Sequence, residues 1–412
     1  MQINMMIAAR VHSLLVIFTT LAAVSTALQQ SNQLPNQPAG STGTRRRDFL
    51  AQTAAAVSSP LWLPTSAANA AAGTPSPPKL PPIGFGCWAW GDSLFWGYNP
   101  KNDNELQDVF NFAVNSKYAP VLIDTAELYG FGRSESLLGD YTSQIGNDAD
   151  QKVVMATKFA ALPYRTKPES VVKAAEASVK RLGGRPIDLY QIHFPGAWAN
   201  EAYWDGMAMA YEKGLIKAVG VSNYGVDATR ACYKALEKRG IPLTSNQIQC
   251  SLLYKFPEQN GLLQACQDLG VQVLSYSPLA LGLLTGKYAT PESVKSIKGP
   301  RQKLFAKTAE QPEFQSLLST MKDIAQEKST GDRSVNLPQV AINWCRAKGT
   351  IPIPGARNLK QIQSNYAALE WDLTKDDVAR LDQVSANLAY IQPGASPFPQ
   401  EDKDTHLKMF DS

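Results

Sequence analysis

The chain has 412 residues, enough for one large domain and additional segments. Hydrophobic residues make up 44% and charged ones 18%, which excludes a wholly disordered chain and points to a packed core. The net charge of +4 lies partly in Arg45, Arg46 and Arg47, so charge gives no basis for a nucleic-acid or membrane-surface partner.

Residues 1–28 read as a secretory-type signal. Arg10 precedes an apolar stretch from Leu14 to Val24, and small residues up to Ala27 end it. That stretch is short for a membrane span, so no stable insertion of the mature chain is expected. Residues 29–70 begin with a Gln-, Asn-, Pro- and Ser-rich stretch, expected to be disordered. Arg45, Arg46 and Arg47 follow, ahead of an Ala-rich apolar run that ends in Ala68-Asn69-Ala70. This segment resembles a twin-arginine signal, with a disordered basic tail as the alternative. Two signals in tandem resemble the layered presequences of algae with secondary plastids. They imply delivery to the plastid (chloroplast), with the thylakoid lumen as a second address. Such presequences usually place Phe after the first cleavage site, and none follows Ala27. Residues 71–82 read as a Pro-rich linker, 83–390 as the folded domain and 391–412 as a polar tail.

From residue 83, short apolar runs alternate with segments whose apolar residues recur at three- and four-residue spacing. Predicted strands cover residues 83–88, 121–125, 153–158, 188–193, 218–222, 246–250, 271–276 and 350–354. Predicted helices cover 104–116, 134–141, 168–182, 203–213, 226–238, 261–269 and 337–348, with an extra C-terminal helix at 376–388 opened by Thr374. Pro168 and Pro338 suit the first turn of a helix. Eight strands with alternating helices predict an α/β fold of the (β/α)8 barrel type. An open doubly wound sheet is disfavoured, because no Gly-x-Gly-x-x-Gly follows an early strand. The stretch from Pro278 to Glu310 reads as a long functional loop. The five cysteines are irregularly spaced and read as buried free thiols, and no metal site is visible.

Four predicted strands end in polar groups: Asp124, Lys158, His193 and the pair Ser222-Asn223. A (β/α)8 barrel gathers strand ends at one face, where active sites sit. Tyr129 follows Asp124 by five residues. His193 is the only histidine between His12 and His406. Alone it would read as a satisfied core residue, and Asp124–Lys158 as a plain buried ion pair. Together they suit chemistry. An ammonium near a tyrosine stabilises its phenolate and lowers its pKa, so Lys158 is expected to do this to Tyr129, with Asp124 fixing the lysine. A neutral His193 can donate a hydrogen bond to a carbonyl oxygen. The set suits hydride transfer to a carbonyl with Tyr129 as general acid.

The segments 124–130 (Asp-Thr-Ala-Glu-Leu-Tyr-Gly), 156–158 (Ala-Thr-Lys), 191–193 (Gln-Ile-His), 221–223 (Val-Ser-Asn), 246–247 (Asn-Gln), 275–279 (Ser-Tyr-Ser-Pro-Leu) and 353–355 (Ile-Pro-Gly) resemble the aldo-keto reductase pattern, in its order. The resemblance runs from about residue 80 to about 390 and includes plastid-targeted plant and algal members. It implies an NADP-dependent enzyme that passes a hydride from NADPH to an aldehyde or ketone, with Asp124, Tyr129, Lys158 and His193 catalytic. It also implies that Ser222, Asn223 and Gln247 hold the nicotinamide carboxamide and that Tyr276 stacks on the ring. Ser277, Leu279, Gly282 and Lys287 then belong to the segment covering the pyrophosphate, and Gly355, Arg357, Gln361 and Asn365 to the adenosine end. Arg357 can pair bidentately with a ribose 2′-phosphate, and this favours NADP. Trp88, Trp90, Trp96 and Trp198 are expected to line the substrate mouth, with core packing as the alternative for two of them. Some relatives act as redox-sensing NADP-binding subunits with little turnover, which is the second reading. Nothing in the sequence selects among reactive aldehydes, quinones, pyridoxal and sugars, and no oligomeric state is legible.

Overall fold

The apolar runs pair side by side in one parallel sheet. A computed structural model describes residues 77–386 and 388, except 94, 197, 198 and 298–300. The expected signal segments at 1–70, the expected polar tail at 391–412 and Trp198 lie outside the described residues. The strands are Gly84–Gly86 (β1), Val121–Asp124 (β2), Val153–Phe159 (β3), Leu189–Ile192 (β4), Val219–Ser222 (β5), Leu243–Gln249 (β6), Gln272–Tyr276 (β7) and Ile351–Pro352 (β8). Each pairs in parallel with the next, in sequence order. The Gly86 N–H donates to the Pro354 carbonyl at 3.1 Å, and Gly86 bridges to Gly355, which joins the first strand to the last. The fold is the expected (β/α)8 barrel. β8 is only two residues long because Pro352 and Pro354 bring no N–H to a ladder.

The barrel interior has an apolar floor made by Leu122, Ala156, Leu189, Ala218, Leu274 and Ile353. The expected linker contributes to it. Leu80 is buried in this cluster. The Gln272 side chain accepts from the Leu80 N–H at 2.9 Å and donates to the Pro78 carbonyl at 2.8 Å. The chain just before β1 is thus a plug, and burying Leu80 contributes about 1.5–3 kcal/mol. Above the floor, inward positions turn polar, with Asp124, Lys158, Gln191, Ser245 and Gln247 all buried.

Two sequence expectations change here. The stretch 278–310 is not a plain loop. It holds a 3-10 segment, Ala280–Thr285, and the helices Pro291–Val294 and Arg301–Ala309. The 17-residue helix Pro312–Lys328, absent from the predicted elements, then follows and buries Phe314, Leu317, Leu318, Met321 and Ile324. The C-terminal helix is present as Lys375–Val384, opened by a reciprocal cap between Thr374 and Asp377. The Lys328 ammonium meets Asp377 at 2.7 Å and ties the two helices. All five cysteines are buried and free. Among the described residues, no helix is long and apolar enough to cross a membrane.

Trp90 is a correction. It was expected at the mouth, but the ring is fully buried in the main core beside Phe85 and Tyr141. Its indole N–H donates to the Ala356 carbonyl at 2.8 Å, so burial leaves no polar atom stranded. The ring fastens the loop after β1 to the loop after β8. Trp90→Ala should therefore cost about 3–5 kcal/mol of unfolding free energy in urea titrations, and Trp90→Phe clearly less. A loss below about 1 kcal/mol for the alanine variant would mean that the ring is not packed as described.

Candidate active site

Asp124, the last residue of β2, and Lys158 in β3 point into the barrel with 2% and 0% of their surface exposed. A lone charge there would be prohibitive, and the two meet at 2.5 Å. The Lys158 ammonium also donates to the Thr125 carbonyl at 2.8 Å and to the Tyr129 hydroxyl at 3.4 Å. The other Asp124 oxygen accepts from the Gln247 amide at 2.7 Å and the Gln191 amide at 3.2 Å. Every oxygen of the buried carboxylate is thus answered.

Tyr129 is held from outside the barrel as well. Gly130 follows it at φ 56°, and a Cβ at Gly130 would lie 2.4 Å from the Gly91 carbonyl oxygen. Only glycine lets the two loops close on each other there. The phenol ring lies 5.7 Å from the His193 ring, edge to face. On its other side the Trp88 ring lies near-parallel at 6.3 Å. Trp88 in turn packs on Phe95 and Trp96. His193 Nδ1 is buried without a hydrogen-bond partner among the described residues.

The electrostatics differ from the sequence expectation at one point. Tyr129 is held well above its ordinary pKa, by burial first and then by the charges of Asp124, Cys87 and Asp92. It was expected to be lowered by Lys158. The ammonium is already engaged with Asp124, so the phenol sees a compact ion pair and a desolvated pocket. Lys158 itself is lowered, because burial outweighs the pull of Asp124. Burial, and then the Lys158 charge, hold His193 well below its ordinary 6.5. The site at neutral pH is a protonated phenol beside a neutral imidazole.

The other expected residues that are described lie at the ends of β5 and β7 and in the segments after β7 and β8. Ser222 Oγ donates to the Gln247 carbonyl at 2.8 Å, and the Asn223 N–H donates to that same carbonyl at 2.9 Å. Asn223, in a left-handed conformation at φ 63°, donates from Nδ2 to the His193 carbonyl at 3.0 Å. Its Oδ1 accepts from the Tyr276 hydroxyl at 2.9 Å, which fixes that half-buried ring at the end of β7. Ser277, Ala280, Leu281 and Gly282 all have positive φ. Backbone strain of this kind collects at ligand-binding segments. Within it the Leu279 carbonyl accepts from Gly282 and Leu284, and Lys287 lies exposed with its ammonium over Tyr288.

After β8, Gly355 is exposed and Arg357 reaches back across the mouth. The Arg357 guanidinium sits 5.9 Å from the Trp96 ring and donates to the Trp96 carbonyl at 3.4 Å. Trp96 therefore joins the expected substrate side to the expected adenosine side. Gln361 Oε1 accepts from the Arg357 N–H at 2.7 Å, and Asn365 is buried and donates to the Gly355 carbonyl at 3.3 Å. Both brace the turn that presents Arg357. The helix Leu359–Ala367 begins just beyond, capped by Asn358.

Comparison with known proteins gives the family. The aldo/keto reductase family pattern matches residues 82–386. The chain belongs to the aldo/keto reductase family. It is similar to a chloroplastic pyridoxal reductase of Arabidopsis thaliana, 42% identical over 323 residues that cover 75% of this chain and 84% of that protein. It is 28% identical to the aldo-keto reductase yakc of Schizosaccharomyces pombe, labelled NADP(+), over 77% of this chain and 93% of that one. A solved thermostable aldo-keto reductase, bound to the inhibitor epalrestat, superposes with a TM-score of 0.57 at 25% identity, over 74% of this chain and 95% of that one. A glycerol dehydrogenase of Gluconobacter oxydans shares the fold, with a TM-score of 0.62 at 23% identity over 76% and 93% of the two chains. The protein is an oxidoreductase of this family.

Two outcomes follow from the site's charges. Because folding depresses the His193 pKa, the unfolded chain takes up the proton more readily. Stability should fall as pH drops below about 6.5, and His193→Gln should flatten that slope. Urea titrations between about pH 5 and 8 measure it. Second, Lys158→Met strands the Asp124 carboxylate and should cost about 3–5 kcal/mol, while adding Asp124→Asn should recover part of the loss.

Proposed function

We propose that this reductase takes an aromatic aldehyde, pyridoxal first among them, and reduces it with NADPH through Tyr129 as general acid. The reading rests on one observation: the Tyr129 hydroxyl lies within reach of a buried ammonium, beside a neutral imidazole and under a tryptophan face. The similarity to a plant pyridoxal reductase supports the choice of aldehyde.

NADPH, when bound, supplies the hydride to the carbonyl carbon. The residues present suit it: Tyr276 offers a ring fixed by Asn223, the strained segment after β7 offers a backbone cradle, and Arg357 offers a planar cation. The chain's own groups manage the proton. Tyr129 gives its hydroxyl proton to the carbonyl oxygen as the hydride arrives, which completes the alcohol. The phenolate left behind is met by the Lys158 ammonium. Neutral His193 offers an N–H to the same oxygen and orients it. Trp88, near-parallel to both Tyr129 and Phe95, gives an aromatic aldehyde an aromatic wall to pack against. The raised pKa of Tyr129 keeps its proton in place until the carbonyl oxygen becomes basic. This arrangement supports turnover over a sensing role, because Asp124, Lys158 and Tyr129 together form a route for proton delivery.

We extend the reading to location. The tandem signals before residue 71, with a chloroplastic relative, support delivery to the plastid and cleavage near Ala70. The twin-arginine-like segment would carry the folded barrel onward to the thylakoid lumen. N-terminal sequencing of the mature protein reads the cleavage site directly, and a start far upstream of Ala71 would oppose the proposal.

Tyr129→Phe should keep the fold and NADPH affinity and lower kcat with pyridoxal by at least about a hundredfold. Near-normal turnover would remove Tyr129 from its role. Arg357→Ala should weaken NADPH binding roughly ten- to a hundredfold and leave NADH nearly unchanged, in fluorescence titrations at fixed salt. Equal weakening of both would mean that Arg357 supports the loop and does not read the 2′-phosphate.

A further inference from the structure

Gln191 stands in β4 two residues before His193 and is fully buried. Its neighbour in register on β3 is Lys158. Its side chain turns inward and its Nε2 donates to Asp124 Oδ2 at 3.2 Å. Gln247 Nε2 donates to the same oxygen at 2.7 Å and lies 3.4 Å from Gln191 Oε1. The barrel makes room for this. A Cβ on Gly220, in the next strand, would lie 2.9 Å from Gln191 Cγ and 2.4 Å from Ser245 Oγ. The glutamine and the missing side chain opposite it form one arrangement.

We infer that Gln191 is a positioning residue of the reaction, anchoring Asp124 by its amide so that Lys158 meets Tyr129 in a fixed geometry. The inference rests on the proposed role of Tyr129. Asp124 Oδ1 is engaged by Lys158, and the two amide donors on Oδ2 oppose rotation of the carboxylate, so losing either one loosens the pair. The amides also draw charge from the carboxylate. Asp124 acts against ionisation of Tyr129, so the amides ease that ionisation. The titratable groups around the phenol are Asp124, Lys158 and His193 from β2, β3 and β4, and Cys87 and Asp92 from the loop after β1. Glu135, from the helix Arg133–Gln144, acts on Lys158. Of these, only Asp124 shares a side-chain hydrogen bond with Gln191 among the described residues.

Gln191→Leu keeps the volume and removes the amide. Without that donor, the uncompensated Asp124 charge should raise the Tyr129 pKa. Oxidation of the product alcohol by NADP needs the phenolate, so its kcat profile should shift about one unit to higher pH. That is about a tenfold loss at neutral pH, regained in alkaline solution, with KM for the alcohol and Kd for NADP within about twofold. Should Gln191→Leu fold poorly, Gln191→Met fills the same space without an N–H and is read in its place. A loss that is equal at every pH, or an unshifted profile, overturns the inference and leaves a packing role. Tyr129→Phe is assayed alongside. If it remains active, the proposed function itself fails. If it is inactive and the Gln191 profile is unshifted, only the present inference fails.

Discussion

A lysine with no exposed surface governs the upper half of this barrel. Lys158 can stay charged there only because Asp124 lies at 2.5 Å and the Thr125 carbonyl at 2.8 Å. Removing both charges for apolar groups would cost the fold little in principle. The pair is therefore better understood as a device that holds a cation against Tyr129 than as a source of stability. Its demands spread outward. Asp124 needs donors for its second oxygen, which brings Gln191 and Gln247 inside. Gln191 needs space, which leaves Gly220 without a side chain.

The loops answer the same demand from above. Gly130 allows the Tyr129 loop to close on Gly91, and Trp90 locks the loop after β1 to Ala356. Trp96 then meets Arg357 across the mouth. The segment that carries the aromatic wall and the segment that presents the cation are thus a single mechanical unit, braced by Gln361 and Asn365. A change in one loop is felt in the other without passing through the barrel.

Much of this was legible in the residue order. Parallel strands buried on both faces announce themselves as apolar runs, so a polar residue ending a run marks the barrel's working face. Asp124, Lys158 and His193 are placed in this way. Gln191 is harder to read, because a neutral polar residue inside a strand motif carries no charge to explain. Trp90 and Trp88 have the same composition cue, and only three dimensions separate the packed ring from the one beside Tyr129. The direction of the Tyr129 shift depends on whether Lys158 is free to act on the phenol, which is a matter of distances. The helix Pro312–Lys328 has a clean apolar stripe, but it follows another helix with no strand between them. It therefore falls outside the alternation that identifies the other elements.

The plug beneath the floor has a consequence for how the chain is made. Leu80 finds its clamp in Gln272, 192 residues further along. On a ribosome, the amino-terminal end of the domain has nothing to seat against until β7 has emerged. The segment from Pro78 to Leu80 therefore waits unclamped through most of synthesis. The bottom of the barrel is thus sealed late, and its sealing reports that the body of the domain has been delivered.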